Sequence, residues 1–155
     1  MPEREDLERI IEAGLYAPSA RGRQAAIVVA VTNKELRDKF AAINCKIGGW
    51  DPSFDPFYGA PAILVVLAEK AWANRVYDGS LVMGNMLLAA HSLGLGGIWI
   101  HRAKEEFEMA EYKALLKELG VEGEWEGIGH CAVGYIDGEN PDPAERKAGR
   151  VFWAE

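Results

Sequence analysis

Leu7, Ile10, Ile11 and Leu15 recur at i, i+3, i+4 and i+8, the spacing of one helical face, and predict a first helix over about Arg4–Tyr16. Pro18 has no backbone N–H and forbids its continuation. Ala25–Val31, AAIVVAV, is uniformly apolar and rich in β-branched residues, so it reads as a buried strand. Thr32 stands three residues before Glu35 and fits a capping box, opening a second helix that buries Leu36, Phe40 and Ile43. Ile47–Tyr58, IGGWDPSFDPFY, has the glycines, prolines and aromatics of a loop. Its Trp50, Phe54, Phe57 and Tyr58 either roof a pocket or pack on one another. Ala62–Leu67 is a second buried strand, and Ala71–Tyr77 carries no clear period.

Gly79–Leu93 is apolar on nearly every side, as a helix is when its own fold surrounds it or a second subunit covers it. In a short chain the subunit interface is the easier explanation. The uncharged run continues to Ile100 and imitates a membrane span, but GLGG at Gly94–Gly97 interrupts it. A buried helix, a glycine stop and a third strand at Leu95–Ile100 explain it better. Lys104–Leu119 reads as one amphipathic helix resting on Phe107, Ala110, Ala114, Leu115 and Leu119, with Gly120 as its stop. Ile128–Tyr135, IGHCAVGY, is a fourth strand. The tail holds Asp-Gly and two prolines between Asp137 and Pro143, then RKAGRVFW, in which Val151–Trp153 could add an edge strand. Helices and strands are mixed without strict alternation. The expected class is α+β, one domain over 1–155 with helices around a mixed or antiparallel sheet.

The 155 residues suffice for one core. A net charge of -7 and scattered Lys and Arg argue against nucleic acid as a partner, which calls for a basic face. Cys45 and Cys131 lie outside any CxxC and within expected core elements, as reduced thiols of a cytoplasmic protein do. Met1–Asp6 is charged and leads straight into the first helix, unlike a signal peptide.

Several chemistries find no support. There is no P-loop pattern, GLGG precedes a strand rather than a helix, and His91, His101 and His130 have no metal-ligand spacing. His130 beside Cys131 would form no thiol pair, because adjacent strand residues face opposite sides. His130 is expected to be structural, and His91 a core or interface residue.

The corner YAPSARGRQ, Tyr16–Gln24, places two arginines among small residues in an acidic chain. Ala20 and Gly22 let the backbone approach a flat ligand. Ser19, Arg21, Arg23 and Gln24 offer a hydroxyl, two forked donors and an amide, a set suited to an anionic or electron-rich planar molecule. A solvated loop whose arginines pair with surface carboxylates is equally compatible with these residues.

Four pieces in order, AGLYAPSARGRQ, FYGAPAILVVLAEK, DGSLVMGNMLLAAHSLGLGGIWI and EGIGHCAVGY, resemble the nitroreductase family of flavin-dependent oxidoreductases from about Glu5 to Tyr135. The family's corner pattern is Pro-Ser, two variable residues, Asn, a variable residue, Gln, Pro, Trp. Pro18, Ser19 and Gln24 match it, while Gly22 replaces the asparagine and Ala25-Ala26 the Pro-Trp pair. The resemblance implies FMN at a homodimer interface, with the Gly79 helix as dimer core. Ser19, Arg21, Gly22, Arg23 and Gln24 would lie near the isoalloxazine ring. His101, Arg102, Ala103 and Lys104 would back its other face. Arg146 and Lys147, with Arg150 in reserve, would hold the phosphate, and the tail from about 137 to 155 would pack on the partner subunit.

The implied activity passes hydride from NADH or NADPH through the flavin to a nitroaromatic, a quinone or another conjugated acceptor. A guanidinium from Arg21 or Arg23 near the pyrimidine end of reduced FMN would stabilise its anionic form. The family's N-terminal Arg-Arg-Ser-x-Arg phosphate motif has no counterpart in MPEREDLERI, since Arg4 and Arg9 lie on the following helix. That departure favours the alternative: a non-catalytic flavin- or ligand-binding dimer, or a truncated scaffold with weak or no FMN binding.

Overall fold

The computed structural model describes residues 1–139 and 142–155. The element order is α1 (Arg4–Leu15), a 3-10 turn (Ala20–Gly22), β1 (Ala26–Val31), α2 (Lys34–Gly48), β2 (Ala62–Glu69), α3 (Arg75–Ser92), β3 (Gly96–Ile100), α4 (Ala103–Glu108), α5 (Ala110–Glu118) and β4 (Trp125–Gly134). The four strands form one sheet in the order β1-β2-β4-β3, and each neighbouring pair is antiparallel. The α+β expectation is met, with the sheet antiparallel rather than mixed.

Strand alternation sorts the core into two layers. Ile63, Val65 and Leu67 of β2 face Phe40, Phe107, Tyr112 and Leu116 from α2, α4 and α5. Ala62, Leu64 and Val66 face Leu7 and Ile10 of α1 and Val82, Met83 and Met86 of α3. His130 packs edge-on against Phe40 and Phe57 in the first layer, and Cys131 lies in the second, so the two share no face. Both cysteines are free and buried. Among the described residues no helix is long and apolar enough to cross a membrane.

Several expectations differ from the structure. β1 is an edge strand, buried only in part, because β2 alone pairs with it. Asn33, not Thr32, caps α2: its Oδ1 accepts the Leu36 N–H at 2.9 Å. α2 also runs on to Gly48, and Gly49 ends it at φ 67. The single helix from Lys104 is two, separated at Met109, whose ψ of 144° is extended. The break lets Phe107 and Tyr112 converge on Phe40, with ring centroids 6.1 and 4.6 Å away. Val151–Trp153 forms no strand and is exposed. Of the Asp137–Pro143 stretch, Asn140 and Pro141 lie outside the described residues.

β4 begins at Trp125, earlier than its apolar pattern suggests, and carries a bulge. Val66 pairs with Gly129 and Leu67 with Gly127, which leaves Ile128 as the extra residue. Ile128 lies on Gly79 of α3, where a Cβ would be 2.6 Å from its Cγ1. Gly127 turns to the other side and meets the Ala103 backbone, where a Cβ would be 2.2 Å from the carbonyl. The bulge thus seats both α3 and the turn from β3 into α4.

Candidate functional site

The corner after α1 is wound tightly. Arg21, Gly22 and Gln24 have φ of 57°, 62° and 50°. Left-handed backbone at non-glycine residues costs on the order of 1 kcal/mol each, so contacts must hold it. Two do. Ser19 Oγ accepts the Gln24 N–H at 2.9 Å, and Asp78 Oδ1 accepts the Ala20 N–H at 2.9 Å. Asp78 is 4% exposed and takes the Trp72 indole N–H on its other oxygen at 2.8 Å. The corner is therefore fastened to the first turn of α3.

Beside it opens a cleft of about 1040 Å³ lined by Leu15, Tyr16, Pro18, Ser19, Gly22 and Gln24, with Glu5 and Arg9 of α1 at its edge. Leu15, expected on the buried face of α1, is instead an exposed part of this rim. The guanidinium of Arg23 turns away, forming an ion pair with Glu69 at 2.5 Å and lying 5.6 Å from the Trp72 ring. Arg21 is exposed and forms no salt bridge among the described residues. Neither arginine is part of the cleft wall.

A second cleft of about 720 Å³ lies where β3 ends, between α3, α4 and β4. His101, Arg102 and Lys104 line it with Trp99, Ser80 and Glu126. Arg102 holds φ 81, and its guanidinium lies 4.2 Å from the Trp50 ring centroid. Trp50, Phe54 and Tyr58 continue edge to face, 5.1 and 5.7 Å apart, so the loop aromatics pack on one another beside the cleft. Glu126, nearly buried, meets Arg75 Nε at 3.1 Å and Lys104 Nζ at 4.0 Å. Ala103 is fully buried and can offer only backbone.

Beneath this cleft lies a polar cluster that the sequence reading did not find. Glu106 Oε2 is 2.6 Å from His130 Nε2, and both side chains are buried. Asn44 Nδ2 donates to Glu106 Oε1 at 2.9 Å and to the His101 carbonyl at 2.8 Å. Glu106 left no signal, because a glutamate in a charged helical run ordinarily faces water. Asp78 had one: it is the last charge before the uncharged run of α3. His130 is buried, in keeping with the structural place expected of it, whereas His91 is exposed rather than in the core.

The chain by itself does not bring the expected site residues together. Val76 and Ser80 of α3 line the second cleft, whereas Asp78 and Val82 line a smaller hollow of about 380 Å³ behind the corner. Residues two apart on a helix are roughly 200° apart around its axis, so the two regions flank opposite sides of α3. Arg146, Lys147 and Arg150 are exposed and line neither cleft. The Arg146 guanidinium donates to the nearby Ala144 carbonyl.

The sequence pattern of the Nitroreductase family matches residues 1–46 and 49–135. A curated relative from Archaeoglobus fulgidus, provisionally named an NADH dehydrogenase/NAD(P)H nitroreductase, is 32% identical over 122 residues, 76% of this chain and 64% of the relative. The chain thus spans less than two thirds of that protein's length. Among solved structures, a nitroreductase with bound FMN from Bacteroides fragilis superimposes with a TM-score of 0.85 at 28% identity, covering 100% of this chain and 89% of that one. Another with bound FMN, from Desulfitobacterium hafniense, gives 0.86 at 26% identity with the same coverage. By sequence and by fold, this chain belongs to the nitroreductase family.

Proposed function

We propose that the protein is an FMN-dependent oxidoreductase of cytoplasmic setting, working as a homodimer on NAD(P)H and a small conjugated acceptor such as a nitroaromatic or quinone. One observation carries this reading: the corner and the β3 end open on opposite sides of α3, as two half-sites that a second copy completes would. Tyr77, Leu81 and Leu88 are exposed along that helix in line with the half-buried Gly84, above which space is open. Spacings of four, three and four residues place them on one face. An apolar stripe on a helix otherwise committed to the core suits a subunit interface.

The residues present fit a flavin. The first cleft combines apolar walls with Ser19 and Gln24, and open space lies over Gly22. Arg21 and Arg102 are guanidinium groups without carboxylate partners among the described residues, in a chain of net charge -7. When bound, FMN supplies two-electron chemistry, accepting hydride from NAD(P)H and delivering it to the acceptor. Ser19, Gly22 and Gln24 would lie along one side of the ring and His101–Lys104 along the other. Arg21 would stabilise negative charge at the pyrimidine end more readily than Arg23, which Glu69 already neutralises. Arg146, Lys147 and Arg150 would supply phosphate contacts if the tail crosses to the partner. In this reading the clefts would hold flat molecules in register, and no side chain need act as a nucleophile.

The alternative, a non-catalytic flavin- or ligand-binding dimer or a scaffold with weak or no FMN binding, is favoured by one observation. Arg4 and Arg9 are paired with Glu8 and Glu5 on α1, so neither is free for a phosphate. An anaerobic visible spectrum separates the readings. Uptake of FMN, followed by bleaching with NADH or NADPH and recovery with a quinone, supports the enzyme. Protein that takes up no FMN, or holds FMN that neither nucleotide reduces, overturns it.

A further inference from the structure

We propose that Asn44, Glu106 and His130 form a positioning unit that sets the backbone of His101–Ala103 where it lines the second cleft, and that this orientation governs FMN affinity. The flavin part rests on the function proposed above; the backbone part does not.

Three successive carbonyls are held on the protein side. His130 Nδ1 donates to Ile100 O at 3.2 Å, Asn44 Nδ2 to His101 O at 2.8 Å, and the Glu106 N–H to Arg102 O at 3.1 Å. No peptide bond here is cis, so each carbonyl opposes the N–H of the next residue. With the His101 and Arg102 carbonyls held by protein donors, the Arg102 and Ala103 N–H groups are directed the opposite way. The same restraints hold Arg102 at φ 81, a conformation an arginine rarely adopts unaided.

The unit can exist in only one arrangement. A carbonyl can only accept, so His130 Nδ1 carries a proton. A single proton then bridges Nε2 and Glu106 Oε2, whichever of the two holds it. Phe40 and Phe57 fix the ring edge-on. The Asn44 amide cannot flip, because its oxygen would then face the His101 carbonyl and the Glu106 carboxylate. It keeps this orientation although its own Oδ1 is buried without a partner. A buried polar cluster that leaves an acceptor unsatisfied is a poor stability device and a good orienting one.

The test pairs Asn44→Ala with Leu116→Ala, a packing change on α5 in the same core cluster, at a residue with no hydrogen bond or ring contact to the three side chains of the unit. Amide hydrogen exchange on the FMN-free protein reads the backbone, and FMN titration with the bound flavin's absorption spectrum and midpoint potential reads the site. In Asn44→Ala, exchange across residues 100–104 should quicken and FMN binding weaken, each by about tenfold, the equivalent of one lost hydrogen bond. Leu116→Ala should spread its effect over the core and leave the flavin spectrum and potential unchanged. Glu106→Gln keeps an acceptor for Asn44 and a donor for His130, and should retain wild-type exchange at 100–104. If Asn44→Ala does not fold, Asn44→Ser, whose side chain cannot reach the His101 carbonyl, carries the comparison. Unchanged local exchange, or equal change in both variants, overturns the positioning unit. Faster exchange with unaltered FMN affinity overturns its link to the flavin. A wild type that takes no FMN overturns the proposed function and the flavin link, while the exchange result alone decides the backbone role.

Discussion

Asp78 accepts the backbone N–H of Ala20, 58 residues away in sequence, at 2.9 Å, and its second oxygen takes the Trp72 indole N–H at 2.8 Å. A nearly buried carboxylate at the start of α3 thus fixes both the corner and the ring beside it. Asp78→Ala would strand two donors and should lower stability by about 2–4 kcal/mol. Urea denaturation should show a lower midpoint at unchanged m-value, and FMN binding should weaken because the corner is no longer held.

Two glycines separate steric crowding from backbone strain. At Gly127 a Cβ would lie 2.2 Å from the Ala103 carbonyl carbon and oxygen, both backbone atoms that cannot step aside cheaply. Gly127→Ala should cost about 2–3 kcal/mol and lower the melting temperature by roughly 4–12 °C. At Gly22 a Cβ meets nothing within 4 Å, but φ is +62°. Gly22→Ala should cost only about 1 kcal/mol and lower the melting temperature by roughly 2–4 °C. Differential scanning calorimetry of both variants checks the contrast.

Burial pushes the Cys131 thiol from 9.0 up to about 12. A raised acid pKa means that the folded state resists ionisation while the unfolded chain does not. The associated stability is complete below pH 9 and is lost as pH climbs toward 12, at about 1.4 kcal/mol per pH unit. Tyr112 is raised as well, by burial first and then by the nearby Glu106 and Glu111 carboxylates, and adds to the loss above its ordinary value of 10.0. Unfolding free energies should fall between pH 9 and 11, and those of Cys131→Ala should fall less steeply. The native thiol should also resist a disulfide reagent at pH 8 until the protein unfolds.

Leu88 is 71% exposed on the protomer, in line with Tyr77, Leu81 and Gly84. If this stripe is the subunit contact, Leu88→Glu should raise the dimer dissociation constant by about a hundredfold or more. Sedimentation velocity should then show monomers where the parent protein sediments as a dimer. A parent that sediments as a monomer would remove the stripe from the functional picture.

Elements with strong periodicity were legible without coordinates. The face built on Leu7 and Ile10, the uniformly apolar AILVVL of β2 and the glycine stops at Gly94 and Gly120 follow from local rules and stand where expected. The break at Met109 was not legible. No glycine or proline marks it, and what it achieves, the convergence of Phe107 and Tyr112 on Phe40, involves a residue of another helix. The edge position of β1 was hidden for a similar reason, since an apolar run does not reveal how many neighbours its strand will have.

The candidate site divides in the same way. The chain on its own determined the class of fold, the small-residue corner with its serine and glutamine, and the family, because these depend on residue types at fixed spacing. Tertiary structure alone decided which arginine Glu69 neutralises, which carboxylate holds the corner, and that Glu106 turns inward to His130 and Asn44. Those outcomes depend on partners separated by tens of residues, and a charged side chain shows its burial only once the groups that compensate it have been brought alongside.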